Sequence, residues 1–561
     1  MDIALLAIKV VLLTTACSFG PGLLLVGKLR WSPLERLCGA VAASFIVTYL
    51  VCFALFILRL GDWAYLCASG VFALMGILGW RTARLLIRRR SSRGALIAWG
   101  CLLLWYGLHL AMVRIYSGGD WMGDWQEHYQ RAEFWAGRLP WDFQFIDVYW
   151  LPARPPLMNM LCAFVSRQAG LGFESFSLVS MILNSWAFLP CCLLVRYFSR
   201  RGRRLIPILA LLFMLNPSIV QNSTITFTKA HTVGYVLLGL AFYLRGRIVP
   251  SAVVLAAGIL SHYSAAPFAL AIGLHGLYCA MRGRLAWQSI SLGAAAAGML
   301  LATWLVWSIV VYGSHITFLS NSTVKSTESQ APETNVLKVL NNMYVSLVPH
   351  PLRPAGYKPF VPIRNWGNLR DYYFMICQTC LPTMMGLSGG IIAVWALARA
   401  FMGRETKRRG FWIYFLIFTF VVGMAVNGNW NGYGLAHVTL QPLALLGVTL
   451  VAAALPGLGK FWRWVVPATL LVDYALGILL EFDRQSYLLP TIYDAAGKAT
   501  VLPDVTIGGN AALEYLAKLQ AGYVFWGDHF AGAIPVLEIV SGVIGCGAVW
   551  MVWRRMSGKL A

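Results

Sequence analysis

Charge is what this chain has least of. Only 12% of its 561 residues are Asp, Glu, Lys or Arg, about half the share a soluble domain carries. Acidic residues are the scarcer sign, 22 against 45 basic ones, for a formal net charge of +23. The chain shows no internal repeat and no low-complexity linker. Its loops between apolar runs carry no nucleotide-binding fingerprint, and those on the basic side are too short to hold a domain that would. Cys377 and Cys380 form a CxxC with no second pair, so packing is a better reading of them than metal. The absent charge argues against a string of soluble domains, although the length alone would allow one.

What fills the chain instead is apolar. Hydrophobic residues make up 59% of it and the mean hydropathy is +0.66. Apolar runs begin near Ile3, Leu37, Trp63, Ala95, Phe176, Leu205, Val233, Ala252, Ala266, Ile290, Leu381, Phe411, Val438, Val465 and Ala531. About 20 apolar residues cross a bilayer, so the pattern predicts an all-α polytopic membrane protein of about 13–15 transmembrane helices. The first run is followed by Lys28 and Arg30 and reads as a retained helix rather than a cleaved signal peptide. The twelve Cys lie mostly inside apolar runs, where Cys acts as a small hydrophobe.

The basic residues are gathered, not spread. They form clusters at Lys28–Arg36, Arg81–Arg93, Arg196–Arg204, Arg404–Arg409 and Arg554–Lys559. This is the positive-inside pattern, and it predicts an N-terminus outside and a C-terminus in the cytoplasm of a plasma or inner membrane. Nucleic acid is not an expected partner, because the same clusters punctuate apolar runs. The polar segments Ser117–Trp150, Asn222–Ala230, His262–Ser264, Ser314–Asp371, Asn427–His437 and Glu481–Phe530 then face the periplasm or the exterior. Asn222 and Asn321 open glycosylation-type sequons, a tripeptide common by chance. The expected organisation is 1–94, N-terminal transmembrane helices; 95–312, a core with outer loop 117–150; 313–376, a long outer loop; 377–480, C-terminal transmembrane helices; 481–530, an outer segment; and 531–561, the last helix and tail.

Carboxylates near lipid are costly and usually have a task. In the first outer loop, Asp124, Glu127, His128 and Arg131 are spaced to share one helix face. Trp125, Tyr129, Phe134 and Trp135 occupy the opposite positions and suit a helix lying at headgroup level. Asp120 lies one turn before Asp124, across Gly123. Arg154 then stands alone before Pro155, Pro156 and Leu157. The apolar stretch Leu157–Val165 is too short to span, so it reads as a re-entrant or juxtamembrane piece lining a cavity.

An outer loop with Asp and Glu before a Tyr, a Gly137-Arg-Leu-Pro140 turn and a basic residue before Pro-Pro-Leu resemble the GT-C glycosyltransferases. In particular they look like the branch of protein O-mannosyltransferases and aminoarabinose lipid A transferases. The resemblance covers about a tenth of the chain closely. It implies a GT-C-like fold with outer-face juxtamembrane helices, and inverting transfer from a polyprenyl-phosphate sugar. It also implies a catalytic Asp in the first outer loop and donor phosphate near the basic residue of Pro-Pro-Leu, here Arg154. The sequence departs from the branch in separating Asp124 from Glu127 and in placing three apolar runs before the helix that leads into the loop. Asp124 and Asp120 therefore both stand as candidate bases, with Glu127 beside them.

Further candidates follow from position. Lys229 and Arg364 would join Arg154 at the phosphate. His128, Tyr129, His262, Trp430, Asn431, Tyr433 and His437 would bind substrate, since rings stack on sugars and amides bond hydroxyls. Trp at a membrane interface, a snorkelling Lys or a structural His at a helix end are the plain alternatives. The sequence specifies no cofactor, and a divalent metal would have Asp120, Asp124 or a His as ligands, without a specific spacing. The expected partners are a polyprenyl-phosphate-linked sugar donor, a lipid, glycan or protein acceptor, and membrane lipids. Asp473 and Glu538 lie inside apolar runs, serving either function or helix packing. Two other classes remain open: an O-antigen ligase or polymerase using a lipid diphosphate-linked glycan, with key residues in Ser314–Asp371, and a lipid-linked substrate transporter, which would more readily show inverted repeats.

Overall fold

The computed structural model of the chain describes residues 2–114, 116, 124–147, 149–170, 172–199, 202–320, 332–353, 366–387, 389–393, 395, 409–426, 437–479 and 522–557. Among these, the structure is helical. In order the helices are α1 (Ile3–Val26), α2 (Pro33–Ile57), α3 (Asp62–Leu78), α4 (Trp80–Arg88), α5 (Arg90–Leu110), α6 (Asp124–Trp135), α7 (Leu157–Ala169), α8 (Phe173–Ser185), α9 (Phe188–Phe198), α10 (Gly202–Leu215), α11 (Pro217–Thr224) and α12 (Lys229–Leu244). They continue with α13 (Ile248–Ser261), α14 (Ala266–Met281), α15 (Trp287–Leu319), α16 (Pro332–Leu347), α17 (Trp366–Thr379), α18 (Leu381–Met384), α19 (Arg409–Val426), α20 (His437–Ala454), α21 (Trp462–Asp473), α22 (Trp526–His529) and α23 (Ile534–Met556).

A helix stands at each of the fifteen apolar runs. Fewer are long and apolar enough to cross a membrane: eight among the described residues, or ten if each of two bent pairs is one span. The expected 13–15 counted every run as a full span. Two of the runs form the shorter helices Ile248–Ser261 and Gly410–Val426, and the Leu381 run opens on a single turn. The run from Leu205 bends by 74° between α10 and α11. Pro217 explains that bend, since it fits the first turn of a new helix and Asn216 caps it by accepting from the Ile219 N–H at 2.9 Å.

Three helices connect the basic end of the bundle to the end that carries the acidic loop. α2 starts at Ser32 with a capping box to Glu35, and its last turn packs Phe56 against Trp135 at 4.7 Å. Its 25 residues span about 37 Å at roughly 1.5 Å each. α12 starts at Lys229 beside Asp124 and ends beside Arg245, which pairs with Glu35 at 3.4 Å. α5 starts in the Arg89–Arg90 cluster and leads into the segment before α6. Close contact holds this frame. Gly22 of α1 lies so near the Ala40 backbone of α2 that a Cβ would fall 1.8 Å from its carbonyl oxygen, the small-residue packing common between membrane helices.

The aromatic face of α6 differs from expectation. Trp125, Phe134 and Trp135 are at most 2% exposed, so they are packed in protein rather than laid at the lipid surface. Trp135 sits among Phe56, Trp304 and Trp307, and Trp125 among Phe173, Tyr523 and Phe525. α15 supplies Trp304 and Trp307 to Trp135, and its helix runs on until Gly313 breaks it at φ 79°. α7 is short and buried along nearly its whole length, as expected of a piece that cannot span.

Candidate functional site

The site grows from two turns of α6. Glu127 and Arg131 are one turn apart, fully buried, and joined by Arg131 Nη2 to Glu127 Oε1 at 2.8 Å, with Nε donating to the same oxygen at 2.9 Å. Arg131 also donates to the Leu151 and Trp150 carbonyls at 2.6 and 3.2 Å and lies over the Phe145 ring. It thereby ties α6 to the turn that presents Arg154. The Arg154 guanidinium approaches the other Glu127 oxygen at 3.5 Å and stacks near Tyr149. Tyr263 donates to the Pro152 carbonyl at 3.1 Å and fixes the same turn from the far side.

Asp124, at the start of α6, keeps a quarter of its side chain exposed and lies 4.0 Å from Lys229 Nζ, the first residue of α12. Lys229 itself is buried over the Phe227 ring, before the apolar part of its helix. Two carboxylates and three cations, Arg131, Arg154 and Lys229, therefore face one another, with different protonation preferences. Burial raises the Asp124 carboxyl above the usual range, helped by the nearby Glu127 charge and opposed by Lys229, Arg154 and Arg131. Burial acts upward on Glu127 too, but Arg154 and Arg131 outweigh it and hold Glu127 low and ionised. Burial brings Lys229 down to about 8, with Asp124 resisting and Arg154 assisting.

His128 and His262 complete the cluster. Burial, Arg154, Arg131 and Lys229 push His128 down to about 3, against the pull of Glu127, so its ring is neutral near pH 7. Its Nδ1 is buried and has no hydrogen-bond partner among the described residues. His262 is likewise held neutral by burial first, then by Arg154, Lys229 and His128. Its Nδ1 accepts from the Ser264 N–H at 3.1 Å.

The structure thus brings together Asp124, Glu127, His128, Arg154, Lys229 and His262 from four separate segments. Tyr129 points elsewhere, into the rings of Phe173, Phe176 and Tyr523. Asp120, Arg364, Trp430, Asn431 and Tyr433 lie outside the described residues, as does the side chain of His437. His231 is buried between Phe45, Trp186 and Tyr235, a packing role. Asp473 accepts from the Leu387 N–H at 3.0 Å and anchors the turn after α18. Cys377 and Cys380 are both buried. Sequence reasoning missed Phe227, Tyr149 and the Trp150–Leu151 carbonyls, which position the cations. Only their nearness to Lys229 and Arg154 in sequence could have signalled them.

Among the described residues no three His, Cys, Asp or Glu side chains gather as a metal site. Beside Asp124 the neighbouring cation is the Lys229 ammonium.

The fold and this cluster define a multi-pass helical membrane protein with a charged centre at one end of its bundle. Its fold is similar to two solved structures of ArnT from Cupriavidus metallidurans, one bound to undecaprenyl phosphate and one in the apo state. Each is 15% identical, with a TM-score of 0.45, and covers 83% of this chain; the shares of the two ArnT chains covered are 78% and 77%. No family model and no curated protein matches the chain.

Proposed function

We propose that this protein is an inverting glycosyltransferase that moves a sugar from a polyprenyl-phosphate donor to an acceptor hydroxyl at the outer face of the membrane. The observation that carries the reading is a partly exposed carboxylate, Asp124, beside two largely buried cations, Lys229 and Arg154, at the end of the bundle remote from the basic clusters. A sugar phosphate needs both halves of that arrangement. Asp124 accepts the proton of the acceptor hydroxyl as its oxygen bonds to the anomeric carbon. The bond from that carbon to the phosphate oxygen breaks, and polyprenyl phosphate leaves with the electron pair. Lys229 and Arg154 stabilise the charge that develops on it.

Glu127 has a different task in this reading. It is ionised, buried and held by two guanidiniums, so it serves as a poor base and a good anchor for Arg154. The raised carboxyl of Asp124 makes it the better proton acceptor of the two. Neutral His128 and His262 add polar ring nitrogens near the cations without adding charge.

The test uses undecaprenyl phosphate as the probe, which avoids guessing the sugar. Purified full-length protein should bind it with Asp124→Asn unchanged and with Lys229→Ala and Arg154→Ala each weakened at least tenfold. Wild-type affinity in both cation variants would remove the phosphate from this site. A panel of short-chain polyprenyl-phosphate sugars then tests turnover, which Asp124→Asn should lose.

A further inference from the structure

At the opposite end of α2 the bundle has a second concentration of charge. A cavity of about 730 Å³ is lined by Trp31, Arg36, Arg88, Arg89, Arg90 and Arg196, with no carboxylate lining it among the described residues. The guanidiniums arrive from three elements: the first turns of α2, the α4–α5 junction and the last turn of α9. They converge on a concave space, whereas Arg81 and Arg84 on the same stretch lie outside it.

Two observations, one at the start of α5 and one at Arg36, show a preference for negative charge that the described residues do not meet. α5 begins on Arg89 and Arg90, with no acidic residue in its first turn and no side-chain cap. Cations at a helix N-terminus oppose the helix dipole, and an anion there is favoured instead. In addition, Arg36 donates through Nη2 to the Leu29 carbonyl at 2.8 Å, but its Nε is buried with no hydrogen-bond partner among the described residues. The neighbouring Glu35 is occupied by Ser32, Arg245 and Arg247.

We infer that this cavity is a binding site for a phosphate-bearing anion, held at headgroup height on the membrane face opposite the candidate catalytic cluster. Forked guanidiniums match the oxygens of phosphoryl groups, and basic pockets between membrane helices take acidic headgroups. Trp31 offers an apolar wall at the interface, where Trp is favoured. The inference is independent of the glycosyltransferase reading.

The full chain in detergent is titrated by native mass spectrometry with cardiolipin, a lipid carrying two phosphodiesters, against phosphatidylcholine. Cardiolipin should bind at least tenfold tighter. Arg89→Ala with Arg90→Ala should weaken it by about tenfold or more, while Arg81→Ala with Arg84→Ala changes it less than about twofold. Both pairs are exposed, so folding is not at stake, and matched unfolding temperatures confirm it. Inorganic pyrophosphate that displaces the lipid shows that phosphoryl groups alone suffice, and failure to displace shows that the lipid is the ligand; either supports the site. Equal loss in the two double variants, or no preference over phosphatidylcholine, overturns it.

Discussion

Asp124 and Glu127 sit three residues apart on α6, yet their surroundings give them opposite chemistry. Glu127 lies between two guanidiniums and stays ionised, whereas Asp124 has one ammonium at 4.0 Å and partial exposure. Asp124→Asn should leave the protein folded and able to bind undecaprenyl phosphate, while transfer falls by at least about 100-fold, the lower range for losing a general base. Normal transfer in this variant would move the base elsewhere, with Asp120 next to test. Glu127→Gln should act through structure instead. It leaves Arg131 buried without its carboxylate partner, a loss of roughly 3–5 kcal/mol for a broken buried pair. A markedly lower unfolding temperature, with weakened undecaprenyl phosphate binding through Arg154, is the expected result.

Lys229 supplies a pH test at the same scale. Its ammonium titrates near 8 rather than the ordinary 10.5. As pH rises through about 8 the folded protein loses that charge, so affinity for undecaprenyl phosphate should fall above pH 8. Stability should move the other way. Between about 8 and 10.5 the unfolded chain holds the proton and the folded one does not, so stability rises with pH in that window. Lys229→Arg should flatten the binding profile, because a guanidinium keeps its charge throughout. A binding profile identical to that of the wild type would remove Lys229 from the phosphate. The i, i+4 pairing of Glu127 with Arg131 was legible from spacing alone. The pairing of Asp124 with Lys229 was not, because the partners come from distant segments and nothing local marks their meeting.

At the scale of elements, the sequence marked the start of each helix better than its reach. Charges and Pro bound the apolar runs, so α2, α5, α6 and α12 could be placed. The length of each was less visible, because bends at Gly79 and Asn216 break runs that read as continuous. The shortness of α7 was legible for the opposite reason, since Pro155 and Pro156 bound it at one end and Gly170 at the other. The aromatic face of α6 was misread because a ring at the lipid surface and a ring buried against another helix look the same in one sequence. Its environment predicts an effect. Trp135→Ala opens a large void among Phe56, Trp304 and Trp307, which should cost about 3–5 kcal/mol. The unfolding temperature in detergent should drop accordingly. A surface ring would cost almost nothing, so an unchanged melting curve would show that α6 does lie on lipid.

At the scale of the whole molecule, α12 runs from Lys229 beside Asp124 to Arg245 beside Glu35, and its 16 residues rise about 24 Å. With the charged centres toward its two ends, each would face a different aqueous side. The positive-inside rule then decides which. On the proposed reading the arginine-lined end would face the cytoplasm and the Asp124 cluster the outer side, where a lipid-linked sugar would have to present its phosphate. The assignment rests on loop charge and is directly measurable. In a background with its native Cys replaced, Gln144→Cys, near α6, should react with a membrane-impermeant maleimide in intact cells. Arg81→Cys, at the basic end, should react only after the membrane is opened. The reverse pattern would place Asp124 in the cytoplasm. The helix bundle and its two centres would stand, but the acceptor would then have to be a cytoplasmic hydroxyl and the outer-face reaction would fall.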